Sequence, residues 1–371
     1  MSATLRTNPY HPTRPASHEI FVGREDDCRS LLAALRSQGH AASIAGPAGI
    51  GKTSLLNAVQ RMLLANPDLP ALIAYLDLQK GHASLDLLLR HLADALMAAL
   101  QSQHGLRCPD ACIAQTHALA TQRAQIGEIL APILEYAFAH TQVAYIPVLL
   151  LDNVHRLGVA ATEDLASVLQ TAVNQHQITC ALAGRDELVA GSYSETSPFR
   201  MLISYNLNLT PLSAAQTREL VAKANTCGWE VEEGCDTLAY QLTGGHPYKL
   251  HYYLANVLTT SERLSCEGLR RRQPEIEPYL AALFRAEPTI ALGSSGYAEL
   301  SELIRQLIRE NRLEDALEHL RAEARWRDQA TLLILRLRRC LSDMNTGLVR
   351  RDEASAEQTA IAAAILQLLH G

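Results

Sequence analysis

The sequence predicts an α/β fold, in which a parallel sheet covered by helices is followed by a purely helical part. Five apolar runs of strand length alternate with helix-like segments up to about residue 211, a pattern typical of a parallel sheet with helices on its faces. A glycine-rich loop follows the first run. Beyond residue 212 the strand signals stop, and apolar residues recur at helical spacing.

The five apolar runs are bounded by polar residues or glycine, as the strands of a buried sheet are. They read AASIAG, ALIAYLDL, YIPVLLLDN, ITCALAGR and YNLNLTPL, and begin at residues 41, 71, 145, 178 and 205. Between the second and third runs, the segment SLDLLLRHLADALMAAL has the apolar spacing of an amphipathic helix. The order of these segments supports the alternating arrangement.

Changes in composition, together with a break rich in Gly, Ser and Pro, divide the chain into five parts. Residues 1–20, rich in Pro, His and Thr, predict an extended arm, and residues 21–211 the α/β core. Residues 212–285 are expected to form a helical lid. A break rich in Gly, Ser and Pro at 286–296 predicts a linker. Four helix-like stretches within residues 297–371 then predict a small all-α bundle.

The composition indicates a globular protein and argues against some other classes. The chain has 371 residues, of which 48% are hydrophobic, and a net charge of -6, so it reads as globular. That charge argues against a protein that mainly coats nucleic acid or anionic membrane. The start of the sequence has no apolar signal core, and the eight cysteines lack paired spacing. We expect a cytoplasmic protein with no membrane partner.

The glycine-rich loop carries the strongest motif. Residues 46–53, GPAGIGKT, fit the phosphate-loop pattern G-x-x-x-x-G-K-[ST] without a mismatch and lie between a strand and a helix. Such a loop directs backbone N–H groups at phosphate oxygens, so the sequence predicts a P-loop NTPase that binds ATP or ADP with Mg²⁺. The predicted nucleotide contacts in this stretch are Gly46, Pro47, Ala48, Gly49, Ile50, Gly51, Lys52, Thr53 and Ser54.

Three side chains are predicted to carry the phosphate and metal chemistry. Lys52 is expected to reach the β- and γ-phosphates, and the Thr53 hydroxyl to bind Mg²⁺. The apolar run LLLD ends on Asp152, which we expect to be the acid on the metal side. A strand-terminal Asp that caps the next turn is the alternative interpretation.

Asn153 stands where nucleotide-hydrolysing proteins usually carry a second acid. An amide can orient a water molecule but cannot accept its proton, so binding is expected to survive while hydrolysis is weak or slow, unless another acid substitutes. Glu163 and Asp164 lie too far along the chain to be obvious replacements. If the base is the only missing part, Asn153→Glu should speed hydrolysis.

An ordered set of motifs resembles the STAND class of AAA+ ATPases. The motifs are NPYHPTRPASHEIFVGRED, the phosphate loop, LLLDNVH, LAGR, LTPLS and TGGHPYKL, over roughly residues 8–260. Members of this class are signalling switches that hold ADP at rest and exchange it for ATP to form homo-oligomers. Many members continue into a winged helix and a repeat array, and this sequence shows no sign of either.

The resemblance implies further site residues. Residues 21–25, among them Val22, Gly23 and Arg24, would form part of the adenine pocket. Arg185, at the end of LAGR, would read the γ-phosphate, and Pro247 would pack by the base from the lid's G-x-P element. Alternatively, Arg185 pairs with a neighbouring acid, and GGHP is only a turn that breaks a helix.

The C-terminal stretch is similar to the effector-associated domains of bacterial conflict systems. The cues are LIRENRLEDALEHL, a helix with LILRLRR, and a final helix ending ILQLL, although any four-helix bundle could imitate this spacing. In that family such domains pair with the same domain on a separate effector protein. The resemblance therefore implies an effector partner that bears a matching helical adaptor domain.

These features favour a signalling switch in bacterial defence or conflict signalling. Nucleotide in the core would control oligomerisation, and oligomerisation would cluster the adaptor bundles. The alternative is an AAA+ ATPase that acts on nucleic acid, like initiators or transposition helpers, but no winged helix or basic face is evident. A motor-type enzyme is the third possibility, and Asn153 argues against sustained turnover.

Overall fold

The computed structural model describes most of the first 285 residues and separate positions after them. The described ranges are 7–66, 69–80, 84–157, 159–185, 199–261 and 263–285. By its internal contacts the chain divides into two compact units, residues 1–274 and 275–371. The predicted linker at 286–296 lies outside the described residues, so the domain boundaries of the sequence analysis stay predictions.

The centre of the first unit is a five-stranded sheet with every strand parallel to its neighbours. The strands arise from the five predicted apolar runs. They are β1 (Ala41–Ala45), β2 (Ala71–Asp77), β3 (Ile146–Asp152), β4 (Thr179–Ala183) and β5 (Tyr205–Asn208). Their order across the sheet is β2-β3-β4-β1-β5. This parallel sheet, with the helices around it, confirms the predicted fold class.

Six helices of the described chain surround the sheet. They are α1 (Glu25–Leu35), α2 (Lys52–Leu64), α3 (Leu85–His104), α4 (Asp110–Thr121), α5 (Ile126–Thr141) and α6 (Val159–Asn174). Short 3₁₀ turns at Leu78–Lys80 and Val154–Arg156 follow β2 and β3. Both turns therefore begin at the carboxyl ends of adjacent strands, where ligands bind in open parallel sheets.

The helices pack on both faces of the sheet because successive side chains of a strand point to opposite sides. In β3, Val148 and Leu150 belong to one buried cluster, which α1 and α2 complete. Leu149 and Leu151 belong to the other cluster, which draws on α3, α4, α5 and α6. Before its final Asp152, β3 is therefore apolar along its whole length, as expected for a strand covered on both faces.

The predicted lid consists of four helices and a small parallel pair of strands. The helices are α7 (Ala214–Thr226), α8 (Cys235–Thr243), α9 (Pro247–Thr260) and α10 (Cys266–Arg285), and the boundary between the two units falls within α10. The strands β6 (Glu230–Val231) and β7 (Arg263–Leu264) have two residues each. Strands this short leave no periodic signal, so the sequence analysis did not predict them.

The predicted N-terminal arm is bound to both the lid and the core. The Tyr10 side chain is only 1% exposed, and its hydroxyl donates to the carbonyl oxygens of Leu220 and Val221 in α7, at 3.0 Å each. The Ala16 amide donates to Ser54 Oγ in α2 at 3.0 Å. Residues 7–20 thus run from the lid to the helix that follows the phosphate loop.

The described positions of the second unit beyond residue 285 are all helical. Eight of them are buried apolar residues, all but Ala316 on the apolar stripes that predicted the bundle: Ile304, Leu313, Ala316, Leu317, Leu320, Leu337, Ile361 and Ile365. Ile308 and Gln358 are half-buried. Within the described parts of the chain, no helix is both long and apolar enough to cross a membrane.

Candidate functional site

The phosphate loop joins β1 to α2 and has the backbone that its glycines permit. Gly46, Gly49 and Gly51 have φ values of 144°, 70° and 105°, which side chains rarely adopt. A Cβ on Gly49 would lie 2.7 Å from the Tyr248 Cβ, so the lid closely approaches the loop there. Helix α2 begins at Lys52, directly after the loop. The N–H groups at the N-terminus of a helix favour the binding of an anion.

Lys52 is held against the loop. Its side chain is buried, and Nζ donates to the carbonyl oxygens of Gly46 at 2.7 Å and Pro47 at 2.8 Å. An ammonium group in this position keeps a positive charge beside the backbone amides of the loop. The predicted phosphate contact at Lys52 therefore lies within the loop that is predicted to hold the phosphates.

Thr53 and Asp152 meet although they are 99 positions apart. The Thr53 hydroxyl donates to Asp152 Oδ2 at 2.6 Å, and the Tyr75 hydroxyl donates to the same oxygen at 2.8 Å. Asp152 is 1% exposed, so both donors satisfy a buried carboxylate. Burial and the Asp152 carboxylate raise the pKa of Tyr75, which keeps this phenol a donor.

These oxygens fit a magnesium ion. Mg²⁺ prefers oxygen ligands, usually one or two carboxylates together with water and phosphate oxygens. Within the described chain, no group of three or more His, Cys, Asp or Glu side chains could hold a metal ion by itself. Thr53 and Asp152 are therefore the residues that would hold the ion, which would neutralise charge on the phosphates when bound.

Asn153 is joined to an acid that the sequence analysis did not select. Its side-chain Nδ2 donates to Asp77 Oδ1 at 2.8 Å, and its backbone N–H donates to Asp152 Oδ1 at 2.9 Å. Asn153 has a left-handed backbone with φ of 59°, a conformation that asparagine tolerates better than most residues. Asn153 is thus held by its side chain to the carboxylate that ends β2 and by its backbone N–H to the carboxylate that ends β3.

The predicted adenine segment packs against the phosphate loop and the lid. Val22 is buried, and the Gly23 carbonyl oxygen accepts a hydrogen bond of 2.7 Å from Gln216 Nε2 of α7. The Arg24 guanidinium is buried and donates to the carbonyl oxygens of Thr210 and Ile50. Burial lowers the pKa of Arg24, and the nearby Asp27 carboxylate partly opposes this. Arg24 therefore links the loop after β5 to the phosphate loop.

The lid contacts the phosphate loop through the start of α9. Pro247 is the first residue of that helix, where its missing N–H costs nothing. His246 Nε2 lies 3.1 Å from the Ala48 carbonyl oxygen, and the Tyr248 amide donates to the Gly49 carbonyl at 3.2 Å. The G-x-P element thus lies directly on the loop.

Arg185 lies two residues beyond β4 and is half-buried. Its charge acts on His155, which lies in the turn after β3. Burial chiefly, and then Arg185, Arg156 and Lys52, lower the pKa of His155 to about 4. The charges of Arg185, after the strand between β1 and β3, and of Lys52 therefore both act on His155.

The sequence analysis overlooked Asp77, Tyr75 and His155. Asp77 is the last residue of the apolar run ALIAYLD, as Asp152 is of IPVLLLD. Because Asp77 ends an apolar strand as Asp152 does, the sequence alone could have predicted Asp77 as a second acid of the site. The role of Tyr75 and the position of His155 depend on strand order, which the sequence alone did not give.

Comparisons with known proteins agree with this geometry. Residues 20–181 match the family model described as AAA ATPase domain, and residues 299–371 match the model described as effector-associated domain 11. The first match includes the phosphate loop and Asp152 but ends before Arg185 and Pro247. It implies nucleotide binding at this loop. No curated protein sequence matches the chain.

Solved structures share the fold at low sequence identity. The Aeropyrum pernix Orc1 protein, solved in complex with DNA, is 17% identical over 79% of this chain and 74% of that chain, with a TM-score of 0.50. The Walker-type ATPase PABY2304 of Pyrococcus abyssi is 17% identical over 83% and 91%, with a TM-score of 0.56. The chain thus has a P-loop ATPase fold, similar to AAA ATPase domains over residues 20–181, and a C-terminal part similar to effector-associated domain 11.

Proposed function

We propose that the chain is an ATP- and ADP-binding signalling switch of the STAND class. Nucleotide exchange controls its self-assembly, and the assembled C-terminal domains recruit an effector with a matching helical domain. The setting is bacterial defence or conflict signalling in the cytoplasm. The observation that carries the proposal is the contact between the lid and the phosphate loop through residues 246–248.

This contact couples the phosphates to the lid. The lid residues contact the carbonyl oxygens of Ala48 and Gly49, in the loop whose amides are predicted to bind phosphate oxygens. A ligand shifts a conformational equilibrium only by its different affinity for the two states. Since the loop serves both the nucleotide and the lid, ADP and Mg²⁺-bound ATP can favour different lid positions.

The C-terminal domain gives the switch an output. Its match to effector-associated domain 11 supports a homotypic adaptor that binds a protein rather than a small molecule. A single adaptor contact can be weak, because an assembly presents many copies and raises the effective concentration of the second and later contacts. Recruitment would therefore follow assembly, without any change inside the adaptor itself.

The proposal is tested by measuring the mass of the full chain in solution with Mg²⁺ and either ADP or a non-hydrolysable ATP analogue. We expect a higher mass with the analogue than with ADP. Lys52→Ala should abolish the difference, while Lys223→Ala, which changes a lysine of α7 paired with Glu219, should retain it. A mass that does not respond to nucleotide in the wild type would contradict the switch.

A further inference from the structure

We infer that Asp77 supplies the carboxylate that accepts a proton from the attacking water during ATP hydrolysis, the role that Asn153 cannot fill. The inference rests on the proposed function, because it requires ATP at the phosphate loop. It makes Asp77 a catalytic residue and Asn153 the residue that positions it. It also replaces the expectation that hydrolysis has no base.

The sheet brings the two residues together. β2 and β3 pair in parallel with Asp77 opposite Asp152, so both carboxylates lie at the same edge of the sheet. Asn153, one residue further, reaches back and donates to Asp77 Oδ1 at 2.8 Å. The Gln79 amide donates to that oxygen at 3.0 Å. Asp77 is therefore fixed beside the residues predicted to hold Mg²⁺.

Among the described acids, Asp152 is committed to other partners, and the two acids of α6 named in the sequence analysis are exposed. Asp152 Oδ2 accepts from Thr53 and Tyr75, which suits it to the metal rather than to a proton. Glu163 and Asp164 are exposed on α6. The remaining described strands of the central sheet end on Ala45, Ala183 and Asn208, none of them an acid. Asp77 is thus the second acid that the described sheet offers at this edge.

The hydrogen bond also fixes what the Asn153 side chain offers to water. Its Nδ2 faces a carboxylate oxygen, which only accepts hydrogen bonds, so the amide oxygen points away from Asp77. That oxygen can accept a hydrogen bond from a water molecule. In this pair, Asn153 orients the water and Asp77 accepts its proton, whereas a single acid usually performs both roles.

Hydrolysis of ATP needs only a water molecule and Asp77 as the acceptor of its proton. The water oxygen forms a bond to the γ-phosphorus, and the bond from that phosphorus to the β–γ bridging oxygen breaks, with its electron pair leaving on ADP. One water proton passes to the Asp77 carboxylate and is later released to solvent. The products are ADP and inorganic phosphate.

The first test uses Asp77→Asn in the full chain, with Asp164→Asn as the matched control. Asparagine keeps the size of the side chain and an oxygen for the bond from Asn153, but removes the proton acceptor. We expect single-turnover ATP hydrolysis to fall about 10²- to 10⁴-fold. Equilibrium binding of ATP and the thermal unfolding midpoint should stay close to those of the wild type, and ATP rather than ADP should remain bound after purification.

The second test exchanges the positions of the carboxylate and the amide. In Asp77→Asn/Asn153→Glu the carboxylate stands directly after β3 and the amide at the end of β2, and the hydrogen bond can form in the reverse direction. We expect the double variant to recover most of the lost hydrolysis. Asn153→Glu alone should give no gain, because it sets two carboxylates side by side and removes the amide.

The outcomes separate this inference from the proposed switch. If the wild type binds ATP without hydrolysing it, or if Asp77→Asn hydrolyses it at the wild-type rate, Asp77 is not the base, while the switch stands. Loss of ATP binding in Asp77→Asn, or no recovery in the exchanged variant, would give Asp77 a structural role only. A wild type that binds no ATP overturns both.

Discussion

Nδ2 of Asn153 donates a 2.8 Å hydrogen bond to Oδ1 of Asp77, a residue 76 positions earlier in the chain. The bond links the carboxyl ends of β2 and β3 beside the predicted magnesium residues. Asparagine at this point therefore belongs to a pair with an acid on the next strand. The relationship changes the expected effect of Asn153 on hydrolysis, and the same structure yields predictions for the arm, the lid and the site.

Removing the Tyr10 hydroxyl should weaken the attachment of the arm. Tyr10→Phe deletes the donor to two carbonyl oxygens of α7, within a buried environment. We expect the free energy of unfolding to fall by about 1–2 kcal/mol. Urea unfolding measures it, and Tyr279→Phe, at a tyrosine that is 46% exposed, is the control. Equal effects of the two substitutions would contradict the role of the arm.

Gly245 should tolerate alanine far less than its neighbour Gly244. Both have a left-handed backbone, with φ of 74° and 59°. A Cβ on Gly245 would lie 1.9 Å from the Leu212 carbonyl oxygen, whereas one on Gly244 would meet nothing within 4 Å. Gly244→Ala should cost about 1 kcal/mol and Gly245→Ala about 2–5 kcal/mol of unfolding free energy. The urea midpoints of the two variants should therefore differ clearly. A similar loss in both would show that the turn at 243–246 is not held as described.

Burial of His251 should make the protein less stable in mild acid. Burial chiefly, with the charge of His11, lowers the pKa of His251 to about 4 from an ordinary value of 6.5. The unfolded chain therefore binds a proton first as the pH falls. The contribution of neutral His251 to the free energy of unfolding is fully present above about pH 6.5. It is lost as the pH falls from 6.5 to 4, which lowers the free energy of unfolding by up to about 3 kcal/mol.

His251→Phe tests this pH dependence. Phenylalanine keeps a ring against Tyr10, whose centroid lies 5.6 Å from that of His251, but it cannot take up a proton. The fall in unfolding free energy between pH 6.5 and 4 should be smaller in the variant than in the wild type. Parallel stability profiles of the two proteins over this range would contradict the assignment to His251.

Sequence reasoning was sufficient where chemistry is local. The phosphate loop, its glycines and the start of α2 are contiguous, so their pattern predicts their geometry directly. Asp152 was predictable because it ends a long apolar strand. The helical lid followed from apolar spacing, and so did the stripes on which the buried residues of the second unit lie.

The remaining features depend on pairings between distant segments. The bond between Asp77 and Asn153 requires β2 and β3 to be neighbours, and strand order is not written in either run. Tyr10 contacts a residue 210 positions away, which no local pattern predicts. Arg24 is basic and near the predicted adenine pocket, but its bonds to backbone carbonyls became evident only in the folded chain.

Equilibrium titration of ATP into the full chain, with and without Mg²⁺, tests the central claim most directly. We expect one site per chain, with binding that Mg²⁺ tightens in the wild type but much less in Asp152→Asn, because this variant loses the buried carboxylate that accepts the hydrogen bond of the Thr53 hydroxyl at 2.6 Å. Lys52→Ala should abolish binding. ATP binding that ignores both Mg²⁺ and these substitutions, or no binding in the wild type, would contradict it.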